Sequence, residues 1–476
     1  MSLFRQSATY FFATFANAAL SVALLPFATR VLGPDDFGTY GFVLAVVMFA
    51  SGFADAGVGI LLAEHYPAST TLERRKVLTT VAVVSVLVSG GLALMIYAAW
   101  QPFSSLLAVG HIAPEVALIP EVALMLACVS MPFRTFSSVS TTVFILQGRS
   151  AAAAYALLSQ GGASFSVTLI SLFAFDAGMT SLFAGNAAGA IVGASVALIA
   201  LRRDLSVWPA ARWVRALIQV APSGAASGLM ESSRPLVETH SILRGEGAAG
   251  VGIFNYARMY YGFLSQVVNS VGYALWPLAL QEGRNRDDDF KFVGRVWNGV
   301  YFSLTVVGVT FALFAHEMID ALTNGKFVEA ALWPPILVAY LLIQNSGKAA
   351  TAILYASMKG ALVARLRAAT LFIALVSILA LGSSGGIVEV IGIAFSEMIV
   401  FRLLLQNAAR RIRTPPFQDW WVVSGAAMIV SITFAVQDMG ILHRIGLFAV
   451  LISFLGWVGR SVVIEAWFEL KKLRAH

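Results

Sequence analysis

Four positively charged side chains lie inside long apolar stretches of the sequence: Arg134, Arg234, Arg258 and Lys348. Around two of them, polar residues recur every three or four positions, the spacing that places side chains on one face of a helix. The face with Arg134 also carries Ser130, Ser137 or Ser138, and Thr141, and the face with Lys348 carries Tyr340, Gln344, Thr351 and Tyr355. The spacing therefore predicts two polar helix faces, each with a cation that must face water, a partner or a ligand.

The elements that must position these residues are apolar segments of about twenty residues, the length that crosses a bilayer as a helix. The chain of 476 residues is 58% hydrophobic and 12% charged, whereas soluble domains carry roughly 25% charged residues. We predict fourteen transmembrane helices, at about residues 7–28, 38–62, 77–99, 117–146, 151–175, 180–201, 216–237, 250–279, 294–315, 331–356, 367–383, 386–408, 419–437 and 444–464. The sequence therefore predicts an all-α polytopic membrane protein, in which helices satisfy the backbone polar groups internally.

Two further spans carry polar residues on one helical face, less regularly in the second. The first set is Tyr10, Thr14, Asn17 and Ser21, and the second is Asn255, Arg258, Gln266, Asn269 and Tyr273. Together the polar faces predict a hydrated, cationic central cavity. For the serines and threonines, hydrogen bonding between packed helices is an equally good interpretation. For Arg134 and Lys348 the cavity is favoured, because a charge facing lipid at the bilayer centre costs about 2.5–3.5 kcal/mol.

Carboxylates also occur within the predicted spans. Glu231 and Glu238 flank Arg234 three and four residues away, a spacing that favours ion pairs within one helix over a role in ion coupling. Asp55 and Glu397 have no such neighbour, and either could bind a proton or a cation, because burial favours the protonated form of a carboxyl group. These four acids are the ion-coupling candidates.

Lysine and arginine are distributed unevenly between the two sets of loops. Most of the 32 lie in alternate loops that include both termini. The opposite loops hold only Arg30, Arg244, Lys326 and Arg444. The positive-inside rule therefore places both termini in the cytoplasm, and Arg402 and Arg460, near cytoplasmic helix ends, are expected to extend to the membrane surface. Topology accounts for the net charge of +7, so no nucleic-acid partner is predicted.

Landmarks of the first six spans recur about 210 residues later, in the next six. They pair Pro26 with Pro235, Gly38 with Gly252, Arg149 with Lys359, Gly178 with Gly386, and Arg202–Arg203 with Arg410–Arg411. The repeat predicts an N-lobe at 1–205 (helices 1–6), a C-lobe at 206–415 (helices 7–12) and a C-terminal helix pair with a cytoplasmic tail at 416–476. Two such lobes, related by an axis along the membrane normal, typically enclose a substrate path and work by alternating access.

No pattern typical of an enzyme or of a bound cofactor occurs in the sequence. The six histidines are scattered near span ends without metal-ligand spacing, and no phosphate-binding loop or nucleophile motif is present. The single cysteine, Cys128, excludes an intramolecular disulfide. We expect a protein that is not an enzyme and has no cofactor, apart from coupling to a proton or sodium gradient.

The turn between the first two spans combines charge, glycine and proline. Pro26 is expected to bend the first helix near its outer end. Asp35 or Asp36 is expected to cap the second helix, whose N-terminus favours negative charge. The turn is therefore a hinge candidate, and the binding chemistry is expected deeper in the spans.

The same region, 25–42 (LPFATRVLGPDDFGTYGF), contains the pattern R-x-L-G-x-x-x-F-G-x-Y. Together with LQGR after the fourth span and GVGIFNYA at the start of the eighth, it resembles the Wzx-like polysaccharide and oligosaccharide flippases. These form the polysaccharide transporter branch of the multidrug/oligosaccharidyl-lipid/polysaccharide (MOP) exporter superfamily. The resemblance covers spans one to twelve. Glu64, His65 and Glu238 depart from it, since a basic residue and an aspartate are commoner at these places.

The resemblance implies a flippase that moves a lipid-linked oligosaccharide, usually carried by undecaprenyl pyrophosphate, to the outer leaflet of a bacterial cytoplasmic membrane. The cations would hold the pyrophosphate, and the polar side chains would contact the sugars. The candidate substrate-binding residues are Arg134, Lys348, Arg258, Arg234, Asn17, Gln344 and Asn269. Membrane lipids and other polysaccharide-assembly proteins are the expected partners.

Other functions stay open at this point. Within the same superfamily, the chain could be a cation-coupled drug or metabolite exporter, although such cavities usually favour acids, or a peptidoglycan-precursor flippase. A membrane glycan polymerase or ligase is the alternative of a different class. Such enzymes generally carry a long exterior loop with catalytic residues, and no extramembrane segment predicted here is much longer than about twenty residues.

Overall fold

The computed structural model describes residues 3–55, 57–66, 70–107, 119–205, 207–284, 291–357, 359–381, 385–412, 419–437, 439–453 and 455. This part of the chain is almost entirely helical and contains no β-strand. Nine of its helical segments are long and apolar enough to cross a membrane: Phe11–Val31, Pro34–Ala54, Thr71–Trp100, Glu121–Leu146, Ser150–Phe173, Thr180–Leu201, Gly294–Thr323, Val328–Ala356 and Gly360–Ala380. The chain is an all-α polytopic membrane protein, as the sequence predicts.

Fifteen α-helices follow one another in these residues. They are α1 (Leu3–Val31), α2 (Pro34–Ala54), α3 (Val58–His65), α4 (Thr71–Leu107), α5 (Glu121–Leu146), α6 (Ser150–Phe173), α7 (Thr180–Leu201), α8 (Ala211–Arg284), α9 (Lys291–Thr323), α10 (Trp333–Ser346), α11 (Lys348–Ala356), α12 (Gly360–Ala380), α13 (Ile387–Arg410), α14 (Asp419–Ala435) and α15 (Ile441–Ser453). A 3-10 helix, Val328–Leu332, precedes α10.

The start of α2 shows how the outer turn is built. Pro34 takes the first helical position, where its missing N–H would have no partner. Gly33 precedes it in an extended conformation, and its amide donates a hydrogen bond of 3.2 Å to Asp36 Oδ2. The predicted role of Asp36 at this N-terminus is confirmed, but the helix begins four residues before the predicted span.

Helix breaks occur both within and between the predicted spans. The span predicted at 38–62 is formed by α2 and α3, joined through Gly57 in the left-handed region at φ 79°. The spans predicted at 216–237 and 250–279 both lie within α8, whose backbone leaves the helical conformation at Gly247, with φ 76° and ψ −171°. Glycine adopts these positive φ values without steric cost, so both breaks are encoded locally.

The helices fall into two units, which are described separately. Unit 1 comprises Met1–Asn255 and Ala374–Val390. Within it, α6 packs against α1 and α7, while α5 packs against α4 and α7. One core cluster contains Leu61, Leu62, Val77, Leu78, Val143, Phe144, Ala197, Leu201 and Trp213. This cluster joins the ends of α3, α4, α5 and α7 to the first turn of α8.

Unit 2 comprises Tyr256–Ile373 and Ile391–His476. Its central element is α10, which packs against α9 and α14. Within the span Val328–Ala356, 83% of the most apolar window is buried, against 17% in α6. The core around α10 includes Leu304, Leu313, Val338, Leu341, Leu342, Leu354, Leu405 and Ile429. A span with such burial contacts protein on nearly all sides, whereas most residues of α6 are half-buried.

Two turns at repeat-related positions have the same backbone hydrogen bonding. After α5, the amide of Arg149 donates to the carbonyl of Phe144 at 2.8 Å. After α11, the amide of Lys359 donates to the carbonyl of Leu354, also at 2.8 Å. Bonds of this kind close a helix C-terminus in the Schellman motif. The matching turns agree with the internal repeat, while the lobe boundaries at 205 and 415 stay a prediction.

Candidate functional site

Arg134 lies near the middle of α5 in unit 1 and is half-buried. Its guanidinium is close enough to the hydroxyl of Tyr40 on α2 for an electrostatic interaction. Tyr40 is 7% exposed, and its hydroxyl accepts a hydrogen bond from Asn186 Nδ2 of α7. The Tyr40 ring also packs edge-on against Phe183 of α7, with 5.0 Å between the ring centroids. Three helices therefore position the polar atoms around this cation.

No carboxylate forms an ion pair with Arg134 in the part of the chain that the structure describes. The phenol of Tyr40 is a neutral partner at ordinary pH. An unpaired cation in a membrane helix is costly, so such residues normally face water, a partner or a ligand. The arrangement leaves the charge of Arg134 free to compensate an anion.

The other polar side chains of the α5 face are engaged within unit 1. Ser137 donates to Gln160 Oε1 of α6 at 3.3 Å. Ser130 donates to the carbonyl of Ala127 at 2.7 Å, and Thr141 donates to the carbonyl of Ser137 at 2.9 Å, both within α5. For these residues the packing interpretation of the polar face is the one that the contacts favour.

Asn17 on α1 also has a packing role. It is half-buried, and a side chain on Gly161 of α6 would collide with its amide oxygen. The side chains of Tyr10 and Tyr273, expected on polar faces, lie outside the described part of the structure. Asn17 therefore lies at the α1–α6 contact, where Gly161 makes room for it.

The remaining substrate-binding candidates outside unit 1 are half-buried in unit 2. Lys348 begins α11, directly after the break at Gly347. Gln344 accepts a hydrogen bond from the Tyr261 hydroxyl at 2.8 Å, and Asn269 donates to Ser265 at 3.3 Å. Arg258 lies on α8. Because Arg134 belongs to unit 1, the convergence of all these residues on one cavity stays a prediction.

Arg234 forms an ion pair with the acid four residues after it on α8. Its Nε lies 2.6 Å from Glu238 Oε1, four residues later on α8, and Glu238 is 4% exposed. Glu231 is exposed on the same helix. The ion pair within one helix, favoured from the spacing, is therefore present between Arg234 and Glu238.

Glu397 on α13 is 6% exposed and also paired. Its Oε1 lies 2.5 Å from Arg367 Nη1 of α12 and accepts a hydrogen bond from the Thr370 hydroxyl at 3.0 Å. The Arg367 guanidinium also lies over the ring of Phe401, 5.1 Å from its centroid. Sequence reasoning grouped Arg367 with the cytoplasmic loop charges and missed this pair, because thirty residues separate its members.

Asp55 differs from Glu238 and Glu397, which are paired with arginines. It caps the C-terminus of α2, where its amide donates to the Ser51 carbonyl at 3.1 Å, and its side chain is exposed. No cation pairs with its carboxylate among the described residues. Asp55 is thus a carboxylate at a helix break with its charge uncompensated.

The prediction that Arg402 extends to the membrane surface is wrong. Arg402 is 6% exposed and lies in unit 2 on a buried face of α13. That face recurs at helical spacing: Met398, Arg402, Leu405, Gln406 and Ala409 are all below 9% exposed. The same periodicity was visible in the sequence and would have indicated a buried arginine. Arg460 lies outside the described residues.

Arg444, expected in an outer loop, is likewise buried at 8% exposed. Its Nη1 lies 2.7 Å from Glu317 Oε1 of α9, and its Nε donates to the Met439 carbonyl at 2.8 Å. It adjoins a cavity of about 260 Å³ that His316 and Glu329 also line. Arg444 therefore attaches the start of α15 to α9.

The described residues form an all-α membrane protein, in which Arg134 has no carboxylate partner among those residues. The chain belongs to the family of polysaccharide biosynthesis proteins, whose model matches residues 3–281. The predicted resemblance is confirmed by this match. No protein in the curated set that was compared matches the chain.

Solved structures of MOP superfamily transporters share the fold. The lipid II flippase MurJ in an inward closed conformation has a TM-score of 0.71 at 13% identity, covering 95% of this chain and 99% of that chain. An inward-facing multidrug resistance MATE family transporter has a TM-score of 0.64 at 16% identity, covering 84% and 95%. A MOP superfamily transporter from Pyrococcus furiosus has a TM-score of 0.57 at 13% identity, covering 87% and 96%. At these identities the likeness shows the fold alone.

Proposed function

We propose that this protein is a flippase for a lipid-linked oligosaccharide and that Arg134 binds the phosphate groups of the lipid carrier. The carrier would be a polyprenyl pyrophosphate of the undecaprenyl type. Transport would run from the cytoplasmic to the outer leaflet of a bacterial inner membrane. The glycan would serve a surface polysaccharide such as an O-antigen or an exopolysaccharide.

The observation that carries this proposal is the guanidinium of Arg134, which has a phenol beside it and no carboxylate partner among the described residues. Facing lipid, such a charge costs about 2.5–3.5 kcal/mol. A pyrophosphate would supply the missing anion, and guanidinium binds phosphate oxygens in a bidentate manner. Membership of the polysaccharide biosynthesis family supports a glycan as the remainder of the cargo.

An exporter of cationic drugs is less well supported. Such a cargo needs free carboxylates, and two of the four candidate acids are engaged by arginines. Glu238 pairs with Arg234, and Glu397 pairs with Arg367. The charge balance of the described spans therefore favours an anionic cargo.

Coupling to a proton or sodium gradient is part of the proposal, and we assign it to Asp55. To bind the coupling ion, Glu238 and Glu397 would each first have to break the ion pair with its arginine. Asp55 lies at the break between α2 and α3 without a cationic partner among the described residues. An ion bound there would neutralise a charge at a helix junction, which is a suitable place to influence helix movement.

Export by cells tests the assignment of Arg134. Arg134→Ala should abolish delivery of the glycan to the outer surface and leave lipid-linked glycan on the cytoplasmic side, at normal protein levels. Arg134→Lys should keep part of the export, because it retains the charge but loses the bidentate geometry. Arg365→Ala, an exposed cation on α12, is the matched control and should export normally. Full export by Arg134→Ala would exclude the proposed role.

A further inference from the structure

The segment that follows α7 is fixed to the neighbouring helix ends of unit 1. Asp204 lies 3.9 Å from Arg75 of α4 and 3.6 Å from Arg149, which precedes α6. The amide of Ala210 donates to the Thr80 hydroxyl of α4 at 2.9 Å. The segment therefore has a defined position against unit 1.

The first turn of α8 is held by a buried tryptophan. Trp213 is 9% exposed, belongs to the core of unit 1, and donates from Nε1 to Glu73 at 3.2 Å. Arg212 pairs with the same carboxylate and lies over the Trp213 ring, 4.7 Å from its centroid. The ring of His65 also packs against the Trp213 ring, with 5.2 Å between the ring centroids. With Trp213 turned inward, the opposite face of this turn must point outward.

Exposed cationic and apolar side chains precede and follow Trp213 along the chain. Trp208 is 89% exposed and Ile218 is 65% exposed. Arg202 and Arg215 are exposed and have no hydrogen-bond or ion-pair partner among the described residues. These four residues, Arg202, Trp208, Arg215 and Ile218, are here called the inner basic surface.

The surroundings of the inner basic surface carry an excess of positive charge. Eight cations and two carboxylates lie in the four segments around this surface, which are residues 70–76, 147–149, 201–205 and 207–219. The cations are Arg74, Arg75, Lys76, Arg149, Arg202, Arg203, Arg212 and Arg215, and the carboxylates are Glu73 and Asp204. Both carboxylates are already shared among several cations. Arg202 and Arg215 have no such carboxylate among the described residues, so an external anion could bind them.

We propose that the inner basic surface binds the headgroups of anionic phospholipids in the cytoplasmic leaflet. The distribution of basic residues places this end of the spans at the cytoplasmic membrane surface. Tryptophan prefers the headgroup level of a bilayer, and arginines next to it attract anionic lipids. The exposed side chains of Trp208 and Ile218 can contact the acyl chains below a lipid phosphate. A free phosphate ion has no acyl chains and cannot make these contacts.

Lipid binding to the full-length protein tests this proposal. The purified protein is placed in nanodiscs of phosphatidylcholine with increasing phosphatidylglycerol, and the lipids that remain bound after transfer to detergent are counted by native mass spectrometry. The test variants are Arg202→Gln with Arg215→Gln, and Trp208→Ala. The matched control is Arg410→Gln with Arg411→Gln, which removes the same charge from exposed, repeat-related residues at the end of α13.

The double variant at 202 and 215 should weaken phosphatidylglycerol binding by about tenfold, a tenfold change being ~1.4 kcal/mol. Trp208→Ala should weaken it less, and the control should keep most of the binding. Inorganic phosphate added in excess should not displace the lipid. An equal loss in the control, no loss in the test variants, or displacement by inorganic phosphate would overturn the proposal. Far-ultraviolet circular dichroism checks that each variant is folded.

Discussion

A methyl group added to Gly38 of α2 would lie 3.1 Å from the amide nitrogen of Gly252 on α8 and would overlap the carbonyl oxygen of Ala248. A methyl group on Gly252 would in turn overlap the carbonyl of Pro34. These two glycines are the pair that the internal repeat predicts as equivalents, and within unit 1 they face each other. The backbones of α2 and α8 therefore touch at the predicted outer end, and only glycine permits that distance.

We expect Gly38→Ala to destabilise the protein. The added methyl group would overlap backbone atoms of α8, so the two helices must move apart. An overpacked contact of this kind costs ~1–3 kcal/mol. Thermal unfolding in detergent measures the change. Gly90→Ala is the matched control, because Gly90 lies within α4 with no atom within 4 Å of the new methyl group. Alanine there should leave the melting temperature unchanged or raise it, since alanine is the better helix former. Equal melting temperatures for the two variants would contradict the contact.

The ion pair between Arg444 and Glu317 should contribute to the stability of unit 2. Arg444→Met leaves the half-buried carboxylate of Glu317 without its cation, and the loss of this charged hydrogen bond should cost roughly 1–3 kcal/mol. Thermal unfolding again gives the measurement. Arg411→Met, at an exposed position, should melt as the wild type does. If Arg444→Met also does so, the attachment of α15 to α9 does not depend on this arginine.

The pair of Arg367 and Glu397 should behave as a structural ion pair. Arg367→Met and Glu397→Leu should each lower the melting temperature, because each removes one member of the ion pair. The double variant should recover much of the loss, with a coupling energy of roughly 0.5–3 kcal/mol. Additive losses in the double variant would contradict the pair. Loss of transport by Glu397→Leu at unchanged stability would instead indicate ion coupling at Glu397.

Asp55→Asn should make transport independent of the driving ion gradient. The amide keeps the size of the side chain and the cap of α2 but removes the charge that would bind the ion. Transport into proteoliposomes, with and without a proton or sodium gradient, provides the measurement. Asp35→Asn, at the exposed opposite end of α2, should respond to the gradient as the wild type does. A gradient response retained in Asp55→Asn would exclude Asp55 as the coupling residue.

The fold was largely predictable because membrane spans are encoded locally. Runs of apolar residues, basic loops and the acidic first turn of α2 each act over a few residues, so the sequence indicates them directly. Breaks inside spans were harder to predict. Gly57 interrupts the span predicted at 38–62 at positive φ, but a glycine within an apolar run is equally compatible with a continuous helix.

The charged residues show where sequence reasoning ends. The place of Arg134 on a polar helix face indicates a ligand-binding cation from the sequence alone. Only the structure shows that no described carboxylate lies close enough to pair with it. Arg367 and Arg444 pair with Glu397 and Glu317, which lie thirty or more residues away in sequence and on other helices. Pairing at that separation depends on helix packing, which the sequence of a single chain does not specify.

The affinity of the purified protein for a polyprenyl-pyrophosphate glycan tests the central claim most directly. Wild type, Arg134→Lys and Arg134→Gln are compared, each with the pyrophosphate ligand and with a neutral ligand of the same glycan and lipid. Arg134→Gln should weaken binding of the pyrophosphate ligand at least about tenfold, ~1.4 kcal/mol, with Arg134→Lys in between, and neither should alter binding of the neutral ligand. Equal affinity of wild type and Arg134→Gln for the pyrophosphate ligand would contradict the account.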